Sequence, residues 1–498
     1  MRSPGALSVS APGALSASAL EDPPARMPRH RRLRARGARL LADPLAPTVV
    51  LSLILVLSLY ARVIDLGQPC KNPCRAGVDH TLIFDESYYV NAARVIAGVN
   101  PPVGAPYHGA PKGKDPNAEH PQLGKLVMAA GIKLFGDGPR GWRLGSVLFG
   151  LVALVALYAL VRAAGGGPWL AVGATGVMAL DNLLLVHGRI ATLDIYAVAM
   201  MLVAATFYLR RSPLLAGLAM GVGGCMKEVA LYLLFVLVLL EALRAARTLW
   251  ARRVERRQDV ERVQGVEPAQ GEHGGVRSPY RATGWVGASL RPLMIFLAAS
   301  VASFLGLLWL LDVLVPAYDP GTHTVYGGSP FTHLSHIYHY AQLLKSKSGA
   351  TGIAATPWEW LQDQRTIDYA RVAVNSVAHG NVVSSRALVY FKGEINPFII
   401  FLAVPALFAA LAAAWRAGDG VAEIGACWCL GAFLPFAIES QISGRITYLY
   451  YMVIVMPGLY LVVSRLFADP RMPRAAVLGW VVMLSFSFLN LYPLRMLL

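Results

Sequence analysis

The sequence predicts an all-α polytopic membrane protein with about eleven transmembrane helices and a cytoplasmic N-terminus. Three observations predict it. Charged residues are 15% of the 498 and apolar residues 55%, against roughly 25% charged in soluble domains. Apolar runs such as 49–60 and 231–240 carry no charge at all. The formal net charge of +16 is concentrated, with eight arginines in residues 1–44 and ten in 244–291, as expected of segments held on the cytoplasmic side. A soluble enzyme, a disordered scaffold and a disulfide-stapled secreted module are excluded. No nucleic-acid-binding motif accompanies the basic charge.

Windows of about 20 residues give candidate spans at 45–63, 142–162, 169–187, 190–209, 213–226, 229–243, 292–314, 397–415, 421–439, 446–464 and 475–494. The first apolar run begins too late for a cleaved signal peptide and reads as a retained anchor. The fifth and sixth spans are short. Fusing them into 213–243 would place the ten-arginine loop outside. Kept separate, they leave the leader, Arg162, Arg210, Arg211, 244–291, Arg416, Arg465, Arg471 and Arg474 on one inner side. The outer loop 64–139 is balanced, with seven basic and seven acidic residues. The expected organisation is an Arg-rich disordered leader (1–44), a transmembrane module (45–243) with outer loop 64–141, a basic cytoplasmic loop (244–291), and a second module (292–498) with outer loop 315–396. Segment 123–135 is apolar but short and holds Lys125 and Lys133, so it reads as an amphipathic helix on the outer surface. Glycines 217, 221, 223 and 224 suit close helix packing beside a cavity. Cys225, Cys427 and Cys429 lie in apolar runs and read as packing residues. Cys70 and Cys74 fall in the outer loop, as a local disulfide or as two idle thiols.

Residues able to do chemistry gather at the outer ends of these spans. Asp85 and Glu86 open an apparent helix. An acid there can simply be an N-cap. Adjacent carboxylates also repel and project about 100° apart, so one suits a general base and the other orders the loop or positions a substrate. His120 and Lys125 open the surface helix, and Arg143 begins the second span. Asp181, His187, Arg189 and Asp194 straddle spans three and four, Lys227 and Glu228 join spans five and six, and Arg445 precedes Tyr448, Tyr450 and Tyr451. Each basic residue alone is an ordinary snorkelling anchor. Together they collect on the side where positive charge should be scarce. Carboxylates inside spans are costly and face a cavity or a partner. Cations around a membrane crevice suit a lipid-linked phosphate, with a carboxylate to deprotonate an incoming hydroxyl.

The motifs FDESYY (84–89), HPQLGK (120–125), GWRLGSVLFG (141–150) and DNLLLVHGRIATLDIY (181–196), and more weakly ISGRITYLYY (442–451), resemble those of the polyprenyl- or dolichyl-phosphate-mannose protein O-mannosyltransferases, membrane glycosyltransferases of the GT-C class. The resemblance implies that Asp85 is the catalytic base and Glu86 the second acid of the pair. It places Lys125, Arg143, Lys227 and Arg445, with His120, near the donor phosphate, and gives Arg189 and Asp194 a substrate-binding or architectural role. It implies inverting transfer of a sugar, mannose first among candidates, from a polyprenyl-phosphate donor to Ser/Thr hydroxyls of a secreted or translocating protein at the outer face of the bilayer. No cofactor and no metal are expected. His323, His333, His336 and His339 have helical spacing, but no Cys or carboxylate stands beside them at ligand spacing. Two features depart from the family. Gln122 follows Pro121 where members often have a second proline. Loop 315–396 is also too short for the lectin-like domain of eukaryotic members. It contains Trp358 and Trp360, at the acceptor entrance or as interface anchors.

Two alternatives stay open. The same donor chemistry could serve a cell-wall polymer or a lipid acceptor. A transporter or flippase would instead show related halves and midplane charges, and the sequence shows no such repeat. The topology has a direct test. A Ser87→Cys protein in intact cells is expected to react with a membrane-impermeant maleimide, and reaction only after permeabilisation would place the hexad 84–89 on the cytoplasmic side.

Overall fold

The computed structural model describes residues 43–70, 80–263, 285–345, 352–378 and 381–497. Most of the leader, Cys74 and residues 264–284 of the basic loop lie outside the described residues. Val50–Leu498 forms one compact unit.

The apolar runs become helices. Ala46–Val63 (α1) is followed by the helices Glu86–Ile96 (α2) and Leu123–Phe135 (α3), then by Pro139–Ala163 (α4), Pro168–Ala179 (α5), the short Asn182–His187 (α6), Asp194–Leu209 (α7) and Pro213–Met226 (α8). After a 3₁₀ turn at Glu228–Tyr232 come Leu233–Val263 (α9) and Trp285–Leu314 (α10). Among the described residues six helices are long and apolar enough to cross a membrane. Five more apolar helices are only 12 to 16 residues long.

Several predicted spans are interrupted. The segment 169–187 breaks at Asp181. Its carboxylate caps α6 by accepting the Leu184 N–H (3.3 Å), and also takes the Asn396 N–H (3.0 Å) and the Tyr460 hydroxyl (2.7 Å). A carboxylate buried at this depth is tolerated because donors surround it. Helix α3 has the predicted bounds, but one face is buried against α2 and α4. That face includes Lys125, which is fully buried rather than snorkelling.

Helices α8 and α10 cross at glycines. An added Cβ at Gly217 would stand 2.4 Å from the Ala299 Cβ, and one at Gly221 would stand 2.0 Å from the Ser303 Oγ and 2.6 Å from the Phe304 N. This four-residue glycine spacing lets the two backbones touch. Cys225, Cys427 and Cys429 are free and buried, as the packing reading expected. Cys70 is disulfide-bonded.

The apolar segments are helical, but the loop after α10 is not. It forms a small hairpin, Ala317–Asp319 (β1) with Thr324–Tyr326 (β2). Helices Pro330–Leu343 (α11) and Pro357–Trp360 (α12) follow, then a long antiparallel pair, Ile367–Ala378 (β3) with Asn381–Gly393 (β4). Their β-branched content (Ile367, Val372, Val374, Val382, Val383, Val389) carried the strand signal. The remaining helices are Pro397–Ile400 (α13), Ala403–Ala417 (α14), Gly420–Ser443 (α15), Met456–Phe467 (α16), after a 3₁₀ turn at Leu449–Ile454, and Arg474–Leu491 (α17).

A Gly221→Val substitution is expected to destabilise the detergent-solubilised protein by about 2 kcal/mol through overpacking. Gly173→Ala, where an added Cβ meets nothing within 4 Å, should leave the thermal melt unchanged.

Candidate active site

The turn before α2 builds the site. Glu86 closes it twice: its N–H donates to the Ile83 carbonyl (2.9 Å), and its carboxylate accepts the Ile83 N–H (2.8 Å). Between them Phe84 is held at φ +52°, a left-handed conformation that costs a non-glycine residue about 1–2 kcal/mol. Phe84 stacks on Tyr369 of β3 (centroids 4.3 Å apart) and meets the edge of Tyr450 (5.3 Å). Asp85 stands at the N-cap position of α2 but makes no capping hydrogen bond. The capping alternative therefore fails. Among the described residues no side-chain donor or ion-pair partner meets the Asp85 carboxylate.

That carboxylate faces a cavity of about 550 Å³, lined also by His120, Lys227, Glu228, Arg445 and Tyr88, Tyr89, Tyr448, Tyr450 and Tyr451. Loss of water around Asp85 raises its pKa to about 6, against the opposing pull of Lys227 and with a further push from Asp194. Lys227 Nζ donates to Asp194 Oδ1 (2.7 Å) and lies 5.6 Å from the centroid of the Tyr450 ring. The other Asp194 oxygen lies 3.6 Å from His187 Nδ1, and His187 Nε2 is 3.0 Å from the Tyr369 hydroxyl. His120 Nδ1 is 3.0 Å from the Glu228 carboxylate. Arg445 pairs with Glu439 (2.9 Å), while among the described residues its buried Nε has no hydrogen-bond partner.

The structure thus brings together Asp85, His120, Lys227, Asp194 and Arg445. Others of the expected set are held elsewhere. Arg143, expected at the donor phosphate, is fully engaged in the interior. It forks onto Glu86 with two 2.7 Å bonds and donates to the carbonyls of Leu66 (2.6 Å), Gln68 (2.8 Å) and Thr81 (3.2 Å). Glu86 also accepts the Ala191 N–H (2.7 Å) and is fully buried. With every lone-pair direction occupied, it holds the turn that carries Asp85. Lys125 pairs with buried Asp115 (2.5 Å) and donates to the His120 carbonyl (2.8 Å), so it shapes the 115–122 loop from behind. Arg189 donates to the carbonyls of Ala61 (2.8 Å), Ile64 and Asp65 (2.9 Å), which makes it architectural. Trp360 is fully buried against Tyr451, Phe433 and Phe436 and donates to the Ala355 carbonyl (3.2 Å). It backs the cavity wall and does not open the acceptor entrance, whereas Trp358 remains half exposed.

Gln122, the departure from the family pattern, donates to Asp312 Oδ1 (2.7 Å) and the Val315 carbonyl (3.2 Å), tying α3 to the end of α10. The four histidines diverge: His333 lies between Asp312 and the Ala118 carbonyl, His336 beside Tyr326, His323 beside Tyr318, and His339 on the Ser335 carbonyl. Sequence reasoning missed Tyr369, which reaches the site from a strand 284 positions after Asp85 (369 − 85). No local pattern marks such a contact.

Residues 119–255 match the family described as dolichyl-phosphate-mannose-protein mannosyltransferase. The stretch takes in three of the quoted motifs and begins after FDESYY. The chain is 32% identical over 170 residues to the polyprenol-phosphate-mannose–protein mannosyltransferase of Corynebacterium glutamicum, a match spanning 33% of this chain and 30% of that protein's length. Its fold is shared with a chain of the S. cerevisiae protein O-mannosyltransferase Pmt1–Pmt2 complex, solved bound to the sugar donor. The TM-score is 0.62 at 10% identity, over 92% of each chain.

Glu86→Gln breaks the buried fork and leaves Arg143 without its counter-charge. A loss of about 3–5 kcal/mol is expected, read as a collapse of folded yield or a lowered melting temperature. Asp85→Asn should melt like the parent.

Proposed function

We propose that this chain, whose residues 119–255 carry the domain of the dolichyl-phosphate-mannose-protein mannosyltransferases, moves mannose from a polyprenyl-phosphate donor to Ser/Thr hydroxyls of a protein at the extracytoplasmic face. The observation that carries the reading is the unpartnered Asp85 carboxylate over the cavity that also holds Lys227 and Arg445.

Asp85 takes the proton of the acceptor hydroxyl as its oxygen attacks the anomeric carbon. The bond from that carbon to the phosphate oxygen breaks on the opposite face, so configuration inverts. The electron pair leaves on the polyprenyl phosphate. Lys227 and the free Nε of Arg445 stabilise it, since a phosphate needs nearby cations more than an acid. Val229, Leu334, Ile337, Leu344 and Ile353 supply apolar wall for the lipid end of the donor. His120 and Glu228, paired at the rim, orient the sugar.

The test is transfer from radiolabelled polyprenyl-phosphate mannose to a Ser/Thr peptide by the purified chain. Asp85→Asn is expected to lower the rate by about 10²–10⁴-fold without changing the melt; near-parental transfer would remove Asp85 as the base. Only the ionised carboxylate accepts a proton, so kcat/KM should fall as the pH drops through about 6. The acid limb should be missing from whatever rate Asp85→Asn retains.

A further inference from the structure

A second cavity, of about 490 Å³, opens between α1, α4 and α7, with Leu55, Leu151, Val155, Ala159 and Phe207 on its walls and Arg210 at its rim. Helices α4 and α7 start beside the site, at Arg143 and Asp194, and run away from it. Arg210 therefore lies at the end of the helices opposite Asp85. The groove is apolar throughout. The one hydroxyl on its wall, Thr206, is turned onto the carbonyls of Leu202 (2.8 Å) and Ala156 (3.3 Å) and offers nothing to a ligand.

Several other arginines at this end are already engaged. Arg162 donates to the Gly166 carbonyl (2.6 Å), Arg244 and Arg247 to Glu423, and Arg465 to Asp419 (2.5 Å). Arg210 differs: it is exposed, and among the described residues its guanidinium has no hydrogen-bond or ion-pair partner. Arg211 beside it is also exposed, in a left-handed turn (φ +63°) that ends α7. An apolar groove that finishes at two unneutralised guanidinium groups complements one molecule end to end: a hydrocarbon chain below a negatively charged head.

We propose that this groove is a binding site for an anionic phospholipid, with an acyl chain between α1, α4 and α7 and the phosphate at Arg210. The fit of guanidinium to phosphate is planar and two-pronged. The extra charge of Arg211 favours a net-negative head over a zwitterionic one. This site is separate from the cavity at Asp85 and does not depend on the reaction assigned there.

Native mass spectrometry of the full purified chain, given equal phosphatidylglycerol and phosphatidylcholine, tests it. Phosphatidylglycerol should be retained in preference. Arg210→Gln, at an exposed helix end, should lower its occupancy about fivefold with an unchanged melt. Ala159→Trp should exclude both lipids by filling the groove. Arg416→Gln, exposed at the same end, should change nothing. Equal retention by the parent and Arg210→Gln would overturn the proposal, as would an equal loss in Arg416→Gln. Displacement of phosphatidylglycerol by added polyprenyl phosphate would also overturn it, by giving the groove to the donor. If Ala159→Trp does not fold, the Arg210→Gln comparison still decides.

Discussion

The fork between Arg143 and Glu86 organises the half of this protein that carries Asp85. Two charges away from water are unfavourable unless the geometry is good and the remaining lone pairs and protons find partners. Here they do. Arg143 reaches three backbone carbonyls besides Glu86, and Glu86 accepts two backbone N–H groups besides Arg143. The bonded segments are the stretch directly after α1, the turn before α2, the start of α4 and the bend before α7. Their relative positions set where Asp85 stands.

Around Asp85 each basic side chain stands beside a carboxylate. Lys227 has Asp194, His120 has Glu228, and Arg445 has Glu439. A cluster of bare cations would strain an empty site, because desolvated like charges repel strongly. Pairing removes that cost while leaving donors, such as the Arg445 Nε, still open. Asp85 is the exception among the anions. Among the described residues it is bonded to no side chain, and burial raises its pKa to about 6 against the opposing pull of Lys227.

The helix breaks serve the same end. The interruption at 227–232 lines the cavity, and the one at 188–193 meets Glu86 behind Asp85. Irregular backbone is tolerated at membrane depth only where protein or a cavity satisfies it. The bound groups of Asp181 and the Ala191 N–H show how that is done here. Close glycine packing of α8 on α10 then supports the short helix that ends at Lys227.

The sequence by itself determined the membrane class, the helical segments and the side-chain chemistry near Asp85. Apolar runs and charge asymmetry are local signals that the bilayer imposes at fixed lengths. It also singled out Asp85, Lys227, Asp194 and Arg445. What it left open was which charges meet the cavity and which meet one another. Arg143, Lys125 and Arg189 look like Lys227 in a sequence, since each is a cation near a helix end. Only the tertiary structure decided that three of them bind buried carbonyls and carboxylates, because their partners lie 5 to 128 positions away, from His120 for Lys125 at the near end to Ala61 for Arg189 at the far one. The same holds for Tyr369. Pairing over such distances is chosen by desolvation and packing of the whole fold, and no local pattern encodes it.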